Sequence, residues 1–460
     1  MLPIDSPAKI IIIIVGVNLI YLYRSWFKTK LAPQALTYYI ILDSLKMKEN
    51  YRSNVDKIII SLITSGTKLS SGGIKDIDWN HLFQTARANR LDGIIYDSLD
   101  RNGIFESLPE EVRHKFEESY QQTVINTRVY LETAGEIASA FSRAEIDLII
   151  LRGPTLSLTL YSRPYLRPYG DLDLLIRKKD LPIAKKTLIN LGLISLPGLL
   201  PDRYFEKHHL HLSFKVPRRN AIVELHWALD HPYTLYTIDY ASLFPKREEA
   251  SFEDFTIPAL NPEDRLLTLC LHLVKHCPFL SFLLDEDDLP ALILKGRWML
   301  WLLDIHLLLT EWGKSFRWEN ILEKAKRWGL DKQVAICLSA AFRVFQTPLP
   351  VQYQNQDLKI RYSSPERQLY RLQLARLRGD EKNLRLGQFL FGLRTDTIFR
   401  PIRALDLVKY LFPPPEYIRG KYQATGISLI IAYPRHIISG IIRLISNLVD
   451  LIYYQTLKKW

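Results

Sequence analysis

The sequence predicts an α+β protein in which a small mixed sheet is set between N-terminal and C-terminal helical regions. Three observations carry this. Apolar residues recur at three- and four-residue spacing on both sides of a central stretch, the centre instead holds short β-branched or alternating runs, and glycine or proline marks the joins. At 460 residues the chain can bury a full-sized core without cross-links. The three cysteines, Cys270, Cys277 and Cys337, give neither a disulfide framework nor a CxxC pair, so a reducing intracellular compartment is expected. A formal charge of +12 favours phosphate-bearing partners: nucleotides, nucleic acid or an anionic membrane face.

Residues 1–30 stand apart. Ile10 to Tyr23 is an uncharged, mostly apolar run, shorter than the roughly 20 residues that cross a bilayer, and it is followed by Arg24, Lys28 and Lys30. A membrane-associated helix and a buried core helix are both open readings. Insertion would leave the bulk of the chain in the cytoplasm, anchored to the inner face of the membrane. From 31 to 141 the pattern is helical, through Tyr38–Leu45, Val55–Ile63, Leu82–Leu99 and Glu110–Phe141, broken by the Ser-Gly cluster at Ser65–Gly73.

The texture changes over 142–232. Ile146–Leu151 reads as a strand ended by Gly153-Pro154, Thr155–Tyr161 as a short helix, and Asp171–Ile176 as a strand with one polar end. Asp180–Leu191 reads as a helix with Asp180 as N-cap and Gly192 as C-cap, and His211–Val216 with Ala221–Leu229 as a hairpin. Beyond Pro258 helices return: 258–412 opens on Asn261-Pro262-Glu263-Asp264, with a cap, a proline in the first turn and two carboxylates. Leu266–His276, Trp298–Leu309 and Gln333–Phe345 follow, and the basic stretch Arg367–Arg385 reads as a solvated face or a nucleic-acid or lipid contact. The segment 413–460 is punctuated by three prolines before apolar, basic-edged helices that either pack on the N-terminal helix or lie on a membrane.

The candidate chemistry lies between Leu151 and Glu224. On a strand, Asp171 and Asp173 point to one side, about 7 Å apart along the backbone, and Glu224 falls in a later strand run. Such a carboxylate set suits a hard cation such as magnesium. The competing reading, a solvated acidic edge, fits the tripeptide alone. Three acids in otherwise apolar strand runs, with a glycine turn upstream, favour a site. That turn, Arg152-Gly153-Pro154-Thr155, leads from strand to helix, where backbone N–H groups favour phosphate. The hydroxyls of Thr155 and Ser157 would add donors, and Arg152 and Arg167 bracket the segment with guanidinium groups.

The string Leu151–Ile176 (LRGPTLSLTLYSRPYLRPYGDLDLLI), with Val223–Leu229 (VELHWAL) after it, resembles the bacterial uncharacterised nucleotidyltransferase family of the DNA polymerase β-like superfamily. The likeness continues through Asn261–Asp264, Leu271-His272 and Trp301–Asp304, over roughly residues 50–330. It implies a small mixed-sheet polymerase β-like core and transfer of a nucleoside monophosphate from a triphosphate to an acceptor, with release of pyrophosphate. It further implies magnesium, as two ions with manganese as substitute, held by Asp171, Asp173 and Glu224. Gly153 falls in the phosphate turn, and Arg167 matches the arginine before the acidic pair. Arg152 stands where the family has lysine, and Pro154 where the superfamily has serine.

Several residues keep two readings. His226 should face the same way as Glu224, either touching the nucleotide or serving as a structural histidine. Asp304 is either a pairing residue or a group reaching the cleft. His272 and His276 have the i, i+4 spacing of a zinc site without the glutamate of H-E-x-x-H, which leaves a zinc hydrolase as a distant alternative. A non-catalytic, membrane-associated nucleotide-binding or scaffold protein is the main one. The acceptor, whether RNA, protein, sugar phosphate or small molecule, and the oligomeric state are not encoded in any motif.

Overall fold

A computed structural model describes residues 49–64, 77–196, 209–230 apart from 218 and 220, 236–350, and 412–441 apart from 414 and 423–427, with isolated positions between. The chain divides into two compact units, Met1–Asn54 and Val55–Trp460, and nearly all described residues belong to the second. The run Ile10–Tyr23, the Ser65–Gly73 cluster and most of Arg367–Arg385 lie outside the described residues.

Helices α1 (Glu49–Ile63), α2 (Trp79–Ala88), α3 (Asp92–Arg101) and α4 (Glu110–Arg143) come first. The apolar spacing of Leu82–Leu99 predicts one helix, but the chain breaks it in two. Asn89 closes α2, its backbone N–H reaching the carbonyls of Thr85 and Ala86, and Arg90 takes φ 58°. A left-handed residue cannot continue a right-handed helix.

The central elements are β1 (Leu148–Leu151), α5 (Gly153–Leu160), β2 (Leu172–Ile176), α6 (Leu181–Asn190), β3 (Ile194–Ser195), β4 (His211–Val216) and β5 (Ala221–His226), in the predicted order apart from the two-residue β3, which the sequence reading did not contain. Asp180 sits at the start of α6 but makes no side-chain cap bond, because a 3-10 turn over Lys178–Asp180 leads into the helix. Gly192, at φ 86°, lies one residue beyond the C-cap Leu191.

The sheet is larger than the sequence reading. It has seven strands in the order β3-β4-β5-β2-β1-β7-β6, where β6 is Glu248–Phe252 and β7 is Phe255–Ala259. This last hairpin was hidden in the sequence, since β6 is acidic and largely exposed and Pro258 lies inside β7, features that argue against a strand. β1 pairs antiparallel with β2 and parallel with β7, while β2 pairs parallel with β5, setting Asp173 opposite Glu224.

Alternation separates the two faces. Leu148, Ile150, Leu172, Leu174, Phe214, Val223 and Leu225 pack behind the sheet against Tyr130, Ala134, Ile137 and Phe141 of α4 and Leu181, Ala184 and Leu188 of α6. Burial of each large apolar chain contributes about 1.5–3 kcal/mol before entropy is counted. With one face committed to that core, a one-residue slip would bury the acids, so the register of β2 and β5 is fixed. On the other face Ile149, Leu151 and Leu175 join the cluster formed by the later helices, leaving Asp173, Glu224, His211 and His226 beside them.

Those helices are α7 (Pro262–His276), α8 (Leu280–Leu283), α9 (Leu289–Lys295), α10 (Met299–Trp312), α11 (Trp318–Trp328) and α12 (Asp331–Phe345), whereas α13 (Pro415–Tyr422) belongs to a separate small cluster around Ile418 and Ala432. α7 starts as predicted: the Asp264 N–H donates to Asn261 Oδ1 at 3.0 Å. Among the described residues no helix is long and apolar enough to cross a membrane.

His306 on α10 lies within 2.9 Å (Nδ1) of Thr347 Oγ1, and burial holds its pKa down to about 4 against an ordinary 6.5. Between those values the unfolded chain binds a proton that the folded one refuses, so stability falls as pH drops from about 6.5 towards 4. Urea unfolding of wild type and His306→Gln across that window should show a shallower pH slope in the variant. Identical slopes would show that His306 takes no part.

Candidate active site

β1 ends beside the acids. Leu151 pairs with Asp173, so the next residue, Arg152, emerges next to the carboxylate. Arg152 has φ 47° and ψ −113°, a conformation costing about 1–3 kcal/mol for a residue with a side chain. The turn is over-determined by what surrounds it. A Cβ on Gly153 would come to 3.0 Å from Tyr169 Cγ, and Pro154 occupies the first helical turn of α5.

The arginine so positioned places Nε at 3.0 Å and Nη2 at 2.6 Å from Asp173 Oδ2, while its Nη1 contacts His272 Nδ1. The sequence reading has Thr155 and Ser157 add hydroxyl donors for phosphate, but the structure engages both hydroxyls elsewhere. Both are buried, and their hydroxyls donate to the carbonyls of Arg152 (2.9 Å) and Pro154 (2.8 Å) within their own turn.

Asp173 is 7 % exposed and is gripped from two sides. His226 Nε2 lies 3.0 Å from Asp173 Oδ1 and 3.2 Å from Glu224 Oε2. Ionised carboxylates only accept, so this nitrogen carries the proton shared between them. His211 Nδ1 is 3.6 Å from the same Glu224 oxygen.

The electrostatics follow from this crowding. Burial alone would raise Asp173, but the Arg152 charge and the His226 hydrogen bond hold it far below the usual carboxylate range. Glu224 is likewise held down against burial, by the His226 bond and His211. Burial lowers His226, and its bonds to Asp173 and Glu224 outweigh that and push it up. Asp171, one residue before β2, reaches solvent but is hemmed in by protein. Burial and the charges of Asp173 and Glu224 push it up to about 6. Of the three acids, Asp171 is therefore the last to ionise as pH rises.

The family model described as uncharacterised nucleotidyltransferase matches residues 75–346, from just before α2 to the end of α12. The chain belongs to that family. This nucleotidyltransferase is also similar to two solved structures. The antibiotic-resistance factor ANT(2'')-Ia is 13 % identical, with 44 % of this chain and 90 % of that chain covered and a TM-score of 0.28. A nucleotidyltransferase-like antigenic protein from Paracoccidioides brasiliensis is 18 % identical, with 46 % and 97 % covered and a TM-score of 0.25. No curated protein matches the chain.

The candidate site has a second wall that sequence reasoning missed. Arg90, left-handed between α2 and α3, places its guanidinium 5.5 Å from the Trp301 ring centroid, and its charge reaches Asp171. Trp301 also stands 5.0 Å from His272 and 4.6 Å from His276. Burial and the Arg152 charge keep both imidazoles neutral, His276 at about 4 and His272 well below its ordinary value. Cys270 and Cys277 are buried in the apolar core, and among the described residues the His, Cys, Asp and Glu side chains gathered closely enough to hold a metal are His211, Glu224 and His226, a set that shares Glu224 with the predicted ligands and leaves out Asp171 and Asp173. The i, i+4 histidines thus form an aromatic wall. The left-handed turn of Arg90 left no trace in the sequence.

Arg167, read from the sequence as a phosphate contact, is instead buried against Asp304. Only 4 % exposed, it donates through Nε (2.8 Å) and Nη2 (2.6 Å) to Asp304, which also accepts from Tyr161 at 2.7 Å. Of the two readings of Asp304, the structure supports pairing: the bond ties the segment before β2 to α10. Asp304→Asn should cost about 3–5 kcal/mol by leaving a buried arginine uncompensated. Urea titration would measure it, and a loss below about 1 kcal/mol would contradict the lock.

Proposed function

We propose that this protein transfers a nucleoside monophosphate from a nucleoside triphosphate to an acceptor, with magnesium and with release of pyrophosphate. The observation that carries the reading is the placement of Asp173 opposite Glu224 on paired strands, with Asp171 two residues before Asp173 and near enough to feel both charges. Crowded oxygen donors fit a hard divalent cation, which relieves their repulsion, and the three carboxylates would hold one or two magnesium ions or manganese in their place. When bound, the metal would supply charge neutralisation at the phosphates.

The remaining roles belong to the chain. Arg152, now spent on Asp173, is the cation nearest the start of α5 and would turn to the triphosphate once that carboxylate is otherwise satisfied. Gly153 lets the turn pack against Tyr169 and so sets the start of α5 beside Arg152, and Arg90 adds charge from the Trp301 side. Glu224 would take the acceptor proton on its carboxylate, with His226 Nε2 orienting it. The acceptor oxygen bonds to the α-phosphorus, the α–β bridging bond breaks, and pyrophosphate leaves.

The Arg152–Asp173 ion pair is also what a non-catalytic nucleotide-binding protein would keep. Turnover separates the two. Full-length protein, magnesium, α-labelled triphosphates and cell extract as the acceptor source should give labelled product, and Asp173→Asn should reduce its rate by about 100-fold or more. Equal labelling by wild type and variant would overturn the proposal.

A further inference from the structure

Glu224 has imidazoles as well as carboxylates for neighbours. The β4–β5 hairpin pairs His211 directly with His226, their ring centroids 4.7 Å apart, and Glu224 lies two residues before His226 on the same strand face. Glu224 Oε2 is 3.6 Å from His211 Nδ1 and 3.2 Å from His226 Nε2, and the three atoms all lie within 4.8 Å of one another. His211 Nδ1 is buried and makes no hydrogen bond within the protein. Buried polar atoms are normally satisfied, so a nitrogen left in this way beside a carboxylate oxygen calls for a cation between them. The side chains of His211 and Glu224 are 22 % and 25 % exposed, which gives an ion a way in from solvent.

The donor chemistry selects the metal. Two imidazole nitrogens and one carboxylate oxygen suit zinc and neighbouring transition metals, whereas magnesium takes oxygen ligands. Tetrahedral zinc, with bonds of about 2.0–2.2 Å, sets its ligand atoms roughly 3.3–3.5 Å apart. The two Glu224 contacts, at 3.6 and 3.2 Å, are already near that spacing, and three protein donors leave a fourth position for water. His226 Nε2 now donates to Asp173 and Glu224. With an ion in its place, the imidazole keeps its proton on Nδ1, which has no hydrogen bond to lose.

We propose that His211, Glu224 and His226 form a site for a divalent ion of the zinc class, one that inhibits this protein. The ligation itself is independent of any reaction, whereas the inhibition rests on the magnesium-dependent transfer proposed above. Glu224 belongs to both ligand sets, and an ion on His226 Nε2 ends the hydrogen bonds that orient Glu224 and cover Asp173. Zinc held here therefore displaces the arrangement that magnesium needs.

Competition with a chromophoric zinc chelator tests the site on the full chain without nucleotide. A single zinc ion should bind, and excess magnesium should not displace it. His211→Ala should weaken binding by about 100-fold or more, since even the outer partners of a ligand are worth about 10–100-fold. Asp171→Asn and His276→Ala should bind as wild type does. X-ray absorption of the zinc-loaded wild type should show two imidazoles among the ligands, a reading that needs no variant. The site is overturned by absence of zinc binding, by a zinc shell without imidazole, or by undiminished binding in His211→Ala that circular dichroism shows to be folded. Zinc that saturates the site should also suppress magnesium-dependent labelling. Labelling that persists would overturn the inhibition, and absence of labelling without zinc would remove the transfer reading while leaving the zinc site standing.

Discussion

Everything at the candidate active site depends on how Asp173 is held. Its carboxylate is nearly buried, opposite Glu224 across a parallel strand pair, and an uncompensated buried charge would be prohibitively costly. Arg152 covers one oxygen and the protonated nitrogen of His226 the other. The strained backbone at Arg152, the packing of Tyr169 against Gly153 and the burial of Thr155 and Ser157 all serve to hold that arginine in place. Strain at a site is tolerated when the surrounding structure fixes it, and here the surrounding turn does.

The same logic links site to scaffold. The back of the sheet is sealed by α4 and α6, so the face bearing Asp173, Glu224 and His226 is the one left for polar work. Arg167 and Asp304 fasten the segment leading into β2 to α10, which also brings Trp301 beside Arg90 and His272. A residue expected to meet phosphate thus positions the loop that presents Asp171. Site geometry and the docking of the later helices are thereby coupled.

Much of this was legible in the sequence where local chemistry decides it. The apolar alternation of Leu172–Ile176, the hairpin pattern of His211–His226 and the Asn261 cap each specify their own element. The acids were found for the same reason, since Asp173 and Glu224 interrupt runs that are otherwise apolar. What stayed hidden depends on distant partners. The β6–β7 hairpin is polar and contains a proline, yet the edge of β1 recruits it. Arg167 gives no sign that its partner lies 137 positions along the chain, and the turn that aims Arg90 at Trp301 has no glycine to announce it.

The central claim is that three crowded carboxylates exist to hold a divalent cation beside a nucleotide. Water-proton relaxation with manganese and a non-hydrolysable nucleoside triphosphate measures that complex directly. Full-length wild-type protein should enhance relaxation beyond the manganese–nucleotide mixture alone, and replacing both Asp171 and Asp173 by asparagine should remove the enhancement. No enhancement in wild type, or equal enhancement in the double variant, would contradict the account.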